Sequence, residues 1–190
     1  MNTKPKLIIL CGPSGSGKSS IVKFLLENNK DLVLSISATT RSIREGEVDG
    51  KHYHFISEEE FLDKIKNGEI LEYEEVYPGK YYGTLKNHID DILKSGKNVI
   101  FDIDVAGALN IEKIYEDNAL TLFIQPPSIE ALSDRLGKRM SETPESLATR
   151  ISKAETELSY AKFFDHVIIN EDLATACNQA EKLVEEFTQN

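Results

Sequence analysis

Eight residues near the start of the chain limit its fold more than any others. Gly12, Pro13, Ser14, Gly15, Ser16, Gly17, Lys18 and Ser19 fit G-x-x-x-x-G-K-[ST]. Before them, Lys6–Cys11 (KLIILC) is a short apolar run that suits a buried parallel strand. After them, Ser19–Glu27 carries Ile21, Val22, Leu25 and Leu26 at helical spacing. Strand, glycine loop and helix in that order form the setting in which this motif holds phosphate. Glycines let the backbone fold tightly and turn successive N–H groups inward, and the helix start adds the positive end of its dipole. The motif then predicts that Lys18 reaches the β- and γ-phosphates of a nucleotide and that the Ser19 hydroxyl binds Mg²⁺. The ATP-binding set runs on to Ser20.

The rest of the chain fits a sheet built around that unit. Leu32–Ile36, Asn98–Asp102, Ala119–Ile124 and Val167–Ile169 read as strands. Helices are expected over Thr84–Leu93, Ser128–Met140, Pro144–Ala161 and Leu173–Phe187. Apolar strands alternating with helices at both ends of the chain predict an α/β fold: a P-loop NTPase-type parallel sheet with helices on both faces. The middle, about 38–94, is polar and turn-rich. It reads as a strand over Lys51–Ile56, a helix capped by Ser57 with Glu60 in the capping-box position and closed by Gly68, and strands Ile70–Val76 and Tyr81–Gly83 around Pro78-Gly79. This is a small mixed insertion beside the sheet, within a single domain spanning 1–190.

Charge narrows the partners. A net charge of −10 argues against a nucleic-acid binder, which needs a basic face. No run of about 18 apolar residues is present, so no membrane span is expected. Cys11 and Cys177 stand far apart in no ligand-like spacing, which suits a reducing cytoplasm. Only five of the 22 basic residues are arginines, and they cluster: Arg41 and Arg44, then Arg135, Arg139 and Arg150. Guanidinium grips phosphate oxygens bidentately, so clustered arginine in a lysine-rich chain points to anion sites. Val99–Asp102 is an apolar strand ending in an acid, a Walker B pattern that would set Asp102 in the Mg²⁺ shell through water. An aspartate capping the next helix is the alternative. His52 and His54 have no evident third ligand for a metal.

The stretch from Ser37 to Phe55 is the most specific. Two arginines three apart in a flexible segment can converge on one phosphate, and Tyr53 follows on a strand. The stretch resembles the guanylate kinase signature S-x-T-T-R-x-x-R-x-G-E-x-x-G-x-x-Y-x-F. The resemblance extends over nearly the whole chain, through Glu72, Tyr81-Tyr82-Gly83-Thr84, Asp102-Ile103-Asp104 and the segment Arg135 to Arg150. It implies phosphoryl transfer from MgATP to GMP, with ATP and GMP as the partners. Arg41, Arg44, Tyr53 and Tyr82 would hold the GMP phosphate, and Ser37, Glu72, Thr84 and Asp104 would line the guanine pocket. It also implies a lid over about 127–162, whose Arg135, Arg139 and Arg150 close on the ATP phosphates. The core then comprises about 1–37, 95–126 and 163–190, and the insertion 38–94 binds GMP.

The chemistry is consistent with that resemblance. Guanine presents N1–H and the N2 amine, which carboxylates accept. Adenine lacks both, and a site built on such bonds discriminates by about 10⁴. The acceptor phosphate is already anionic, so the barrier is repulsion between two anions. Lys18, Arg41, Arg135, Arg139 and Arg150 are the catalytic candidates against it. Met140 departs from the glycine usual at the family's lid turn, the turn at Tyr77-Pro78-Gly79-Lys80 is long by one residue, and Cys11 replaces a small residue. Rivals are a non-catalytic guanylate-kinase-like interaction module, a kinase with another acceptor such as a ribose bisphosphate, and a GTPase switch. Asp104–Gly107 matches D-x-x-G, but no N-K-x-D accompanies it. Monomer and homodimer both stay open.

Overall fold

A computed structural model of the chain describes residues 4–137 and 144–189, without the side chains of 144–146. Five strands form a parallel sheet: β1 (Leu7–Cys11), β2 (Leu32–Leu34), β7 (Asn98–Asp102), β8 (Ala119–Gln125) and β9 (His166–Ile169). Their order is β2-β7-β1-β8-β9. Every residue of β1 is buried, because helices cover both faces. Ile8 and Leu10 point into one core with Ile21, Val22 and Leu25 of α1 (Lys18–Asn28) and Ala176, Ala180 and Val184 of α7 (Leu173–Gln189). Leu7, Ile9 and Cys11 point into the other, with Ile89 and Ile92 of α3 (Lys86–Lys94) and Ala108 and Ile111 of α4 (Val105–Tyr115). Alternation along a strand sends the two sets to opposite sides. This is the α/β architecture expected from the sequence.

Helix α4 was not. A helix after Asp102 entered the sequence reading only through the alternative of Asp102 as its cap, with no bounds between 102 and 119. Asp104 accepts a hydrogen bond from Gly107 N–H at 2.7 Å and caps the helix.

Beside the main sheet lies a mixed one, in the order β4-β3-β6-β5. It contains β3 (Ala38–Thr39), β4 (His54–Phe55), β5 (Ile70–Tyr77) and β6 (Lys80–Leu85). Helix α2 (Glu58–Lys66) packs on it through the fully buried Phe61, and Ser57 Oγ accepts from Glu60 N–H at the expected cap. The Pro78-Gly79 turn joins β5 to β6, with Gly79 at φ 71°. Several expected elements have other bounds. The strand anticipated over Lys51–Ile56 holds only β4, because Gly50 at φ 70° and N–H bonds from Lys51 and His52 to the Val48 carbonyl make a turn there. Thr84 lies within strand β6, which runs to Leu85, and α3 starts at Lys86. The two late helices are α5 (Ile129–Gly137) and α6 (Pro144–Leu158). Arg139 and Met140 lie outside the described residues.

Candidate active site

The phosphate loop leaves β1 at its C-terminal end. Gly12 has φ 130°, and a Cβ there would sit 2.3 Å from the Ile124 carbonyl oxygen, so only glycine fits. Gly17, at φ 99°, ends the loop as the N-cap of α1, and no side chain caps that helix. Ser20 N–H donates to the Gly17 carbonyl, and the N–H groups of Lys18 and Ser19 ahead of it are left to a ligand, which is the arrangement of an anion site. Lys18 Nζ donates to the carbonyls of Gly12 and Pro13, at 2.6 and 3.2 Å, and is folded back over the loop. Ser19 Oγ donates to Asp102 Oδ2 at 2.5 Å. The alternative reading of Asp102 as a helix cap fails, since Asp104 is the cap.

Sequence reasoning missed two residues here, one that braces this loop and one that lines a cavity beside it. Asn170, just past β9, donates from Nδ2 to the Ser16 carbonyl at 2.7 Å and lies where any side chain at Gly17 would collide. Its own carbonyl accepts from Arg135 Nη2 at 2.7 Å. Arg135 therefore reaches the loop's rim, lining a 410 Å³ cavity with Ser14, Gly15, Gly17, Lys18, Ser19 and Ser20. Arg150, from α6, lies 3.4 Å from Ser14 Oγ. Glu157 is the second missed residue. It shares a 270 Å³ cavity with Gly12, Lys18, Asp104, Arg150 and Lys153. Burial raises its carboxyl above the ordinary range, against Lys153 and Lys18.

On the other side of Asp102–Asp104 lies a 370 Å³ cavity that includes Ser37, Tyr53, Glu72, Glu74, Tyr82 and Asp104. Glu72 is only 8% exposed. Thr84 Oγ1 donates to its Oε1 at 2.6 Å. Burial pushes this carboxyl up to about 7, against the Thr84 hydrogen bond and with help from the Asp104 and Glu74 charges. A Cβ on Gly107 would come within 2.7 Å of Glu72 Oε2, so that glycine of α4 makes room for the carboxylate. Glu74, unremarked in the sequence, is raised by its hydrogen bond to Asp104, then by burial.

Arg41 meets this cavity through aromatic rings. Its Nε donates to Tyr82 Oη at 3.1 Å, and its guanidinium lies 4.9 Å from the Tyr53 ring centroid and 5.4 Å from that of Phe55. Both terminal nitrogens donate to Glu47, each at 2.6 Å, in a bidentate pair. Glu47 Oε2 also accepts from Arg44 N–H at 2.8 Å. Hydrogen bonding to Arg41 holds the Glu47 carboxyl down at about 2 and raises the Arg41 guanidinium further. Glu47 belongs to the signature, but its pairing was not read from it. Among the described residues Arg44 is linked to Arg41 through Glu47, and Arg44 is exposed. His52 Nδ1 accepts from Val48 N–H, whereas the His54 ring packs on His88, so the two histidines serve separate neighbours.

Comparison with known proteins agrees with this fold. The guanylate kinase family model matches residues 4–187. A guanylate kinase of Bacteroides fragilis is 52% identical over 182 residues, 96% of this chain and 89% of that one. One of Porphyromonas gingivalis is 50% identical over 183 residues, covering 96% and 97%. The crystal structure of guanylate kinase from Anaplasma phagocytophilum superposes with a TM-score of 0.77 at 29% identity, covering 100% of this chain and 89% of that chain. The chain belongs to the guanylate kinase family.

Proposed function

We propose that this chain catalyses transfer of the ATP γ-phosphoryl group to GMP through the two cavities that meet at Asp102–Asp104. One observation carries the reading: a phosphate loop and a carboxylate-lined pocket share that single wall. A nucleotide in each would face the other across it.

In this reading the loop from Gly12 to Ser20 and Lys18 hold the donor phosphates, and Arg135, Arg139 and Arg150 neutralise them from the lid side. Ser37, Glu72, Thr84 and Asp104 read guanine. Arg41, Arg44, Tyr53 and Tyr82 hold the acceptor phosphate. Core, GMP-binding insertion and lid divide as the sequence suggests. Two hard oxygen donors, Ser19 Oγ and Asp102 Oδ2, meet beside Lys18, which fits Mg²⁺ held by few protein ligands and several waters. When bound there, the metal supplies charge neutralisation on the donor phosphates.

The chain's own groups then do the rest. The acceptor phosphate oxygen is already a nucleophile, so no side chain needs to take a proton. Lys18 leaves the Gly12 and Pro13 carbonyls for phosphate oxygens, and Arg41 keeps its orientation through Glu47 and Tyr82. Preoriented cations acting where water is excluded supply most of the rate.

A panel of acceptors tests this: GMP, AMP, CMP, UMP and a ribose bisphosphate, each with MgATP, followed by ADP release. Release that depends on GMP alone is expected. Equal turnover of AMP, or preference for the sugar bisphosphate, overturns the guanine assignment.

A further inference from the structure

Arginine alone was expected to join the lid segment to the nucleotides, yet α6 carries a second cation at the cleft. Lys153 stands one turn beyond Arg150, and helix positions three apart share a face. Arg150 points toward Ser14 of the phosphate loop. Lys153 reaches the other way, its Nζ 3.2 Å from Glu74 Oε1 on β5. Glu74 lines the acceptor cavity with Ser37, Tyr82 and Asp104. One turn of α6 thus touches both the donor loop and the acceptor wall. Lys153 is also 3.9 Å from Glu157 on its own helix, and the charge of Asp104 acts on it.

The Lys153 and Glu74 side chains are 58% and 43% exposed, so their pairing adds little to the stability of the fold. Its consequence is geometric. It spans from the helix that carries Arg150 to a strand of the guanine pocket, between residues 79 positions apart. Asp104 ties in the start of α4, because the same carboxylate caps that helix and lines the acceptor cavity beside Glu74.

We propose that Lys153 is a positioning residue for phosphoryl transfer: through Glu74 it ties α6, and with it Arg150, to the acceptor pocket, so that filling the pocket and placing Arg150 at the phosphate loop are coupled. This rests on the donor and acceptor assignment above. Guanine entering beside Asp104 and Glu74 rearranges the partners of Glu74, and Lys153 transmits the change to α6.

The test is affinity for a non-hydrolysable ATP analogue, measured by calorimetry on the full chain without and with saturating GMP. In the unaltered chain GMP should tighten the analogue, and no tightening overturns the coupling. Lys153→Gln and Glu74→Gln should each shrink that enhancement by about twofold to fivefold, the range an exposed ion pair supplies. The double variant should lose no more than either single one, and Lys153→Arg should keep the enhancement. Unchanged enhancement in the single variants, or losses that multiply in the double variant, overturns the latch. Should the unaltered chain turn over GMP while the latch variants behave like it, the latch alone falls. Failure of the unaltered chain to phosphorylate GMP overturns the functional reading beneath it.

Discussion

The donor and acceptor sides of the cleft hold their charged groups by different means. On the donor side the scaffold is backbone: glycines at positive φ, the uncapped start of α1, and a lysine resting on main-chain carbonyls. On the acceptor side it is side chains, with Arg41 gripped by Glu47 and Glu72 buried under Thr84. A backbone cradle is present before any ligand arrives. A side-chain cradle has to be held in place by counter-charges, and those counter-charges become part of the specificity.

Lys18→Ala probes the donor side and carries the largest expected effect. The backbone cradle survives, since its glycines and Asn170 are untouched, but the only cation rooted in the loop is lost. kcat should fall by about 10³-fold, the scale of removing a cation from a transferring phosphoryl group. Steady-state GMP-dependent ADP release measures it. A loss below tenfold would show that the lid arginines carry the charge instead.

Arg41→Ala is the acceptor-side counterpart. Here a fall in kcat/KM for GMP of about 10²-fold is expected, with the circular dichroism spectrum and the affinity for ATP nearly unchanged. Unchanged kinetics would remove Arg41 from the phosphate site.

Glu72 sharpens the contrast through pH. Its carboxyl sits at about 7 because burial disfavours the charge, whereas guanine's donors need the ionised form. Between about pH 6 and pH 8 the ionised fraction grows roughly tenfold, so kcat/KM for GMP should rise by about that factor. The acceptor phosphate titrates near pH 6 as well, but Glu72→Gln retains that part and should lose the rest. At pH 8 this variant should be weaker toward GMP by about ten- to a hundredfold, the range for a lost hydrogen bond to a charged group. Stability moves the opposite way. The folded chain holds the Glu72 proton more tightly than the unfolded one, so the stabilisation is full below the unfolded value of 4.5 and is lost as pH rises through about 7. Glu72→Gln should therefore flatten that part of the pH–Tm profile. A variant with the same slope as the parent would place the titration elsewhere.

The two sides were also unequally legible in the sequence. The donor loop could be read residue by residue, because G-x-x-x-x-G-K-[ST] encodes a backbone path, and backbone paths are local. Asn170 could not, since it meets Ser16 across 154 positions and only the parallel order β1-β8-β9 brings them together. Glu74 and Lys153 escaped for the same reason. Helix α4 was missed for a different one: Asp104 and Gly107 were read as site and motif residues, although Val105, Ala108 and Ile111 repeat every third position, which is a helix face. Asp104 does both jobs, capping α4 and lining the acceptor pocket, and a single letter in a sequence cannot announce two roles.

Glu47→Gln gives the smallest effect and decides how a side-chain cradle works. Glu47 takes one N–H from each terminal nitrogen of Arg41, the Ser42 carbonyl takes another and Tyr82 takes the Nε proton. Among the described residues this leaves one N–H of the five for phosphate. If Glu47 orients Arg41, the neutral variant should raise KM for GMP by about fivefold, with kcat nearly kept, as expected for a residue acting through another on ground-state and transition-state binding alike. If Glu47 instead competes with the phosphate for the guanidinium, KM falls. The bidentate geometry and the second bond to Arg44 N–H favour orientation, because a competitor to be displaced would not also fasten the backbone of the segment that brings it. Steady-state kinetics over a GMP titration separates the two by the sign of the change in KM.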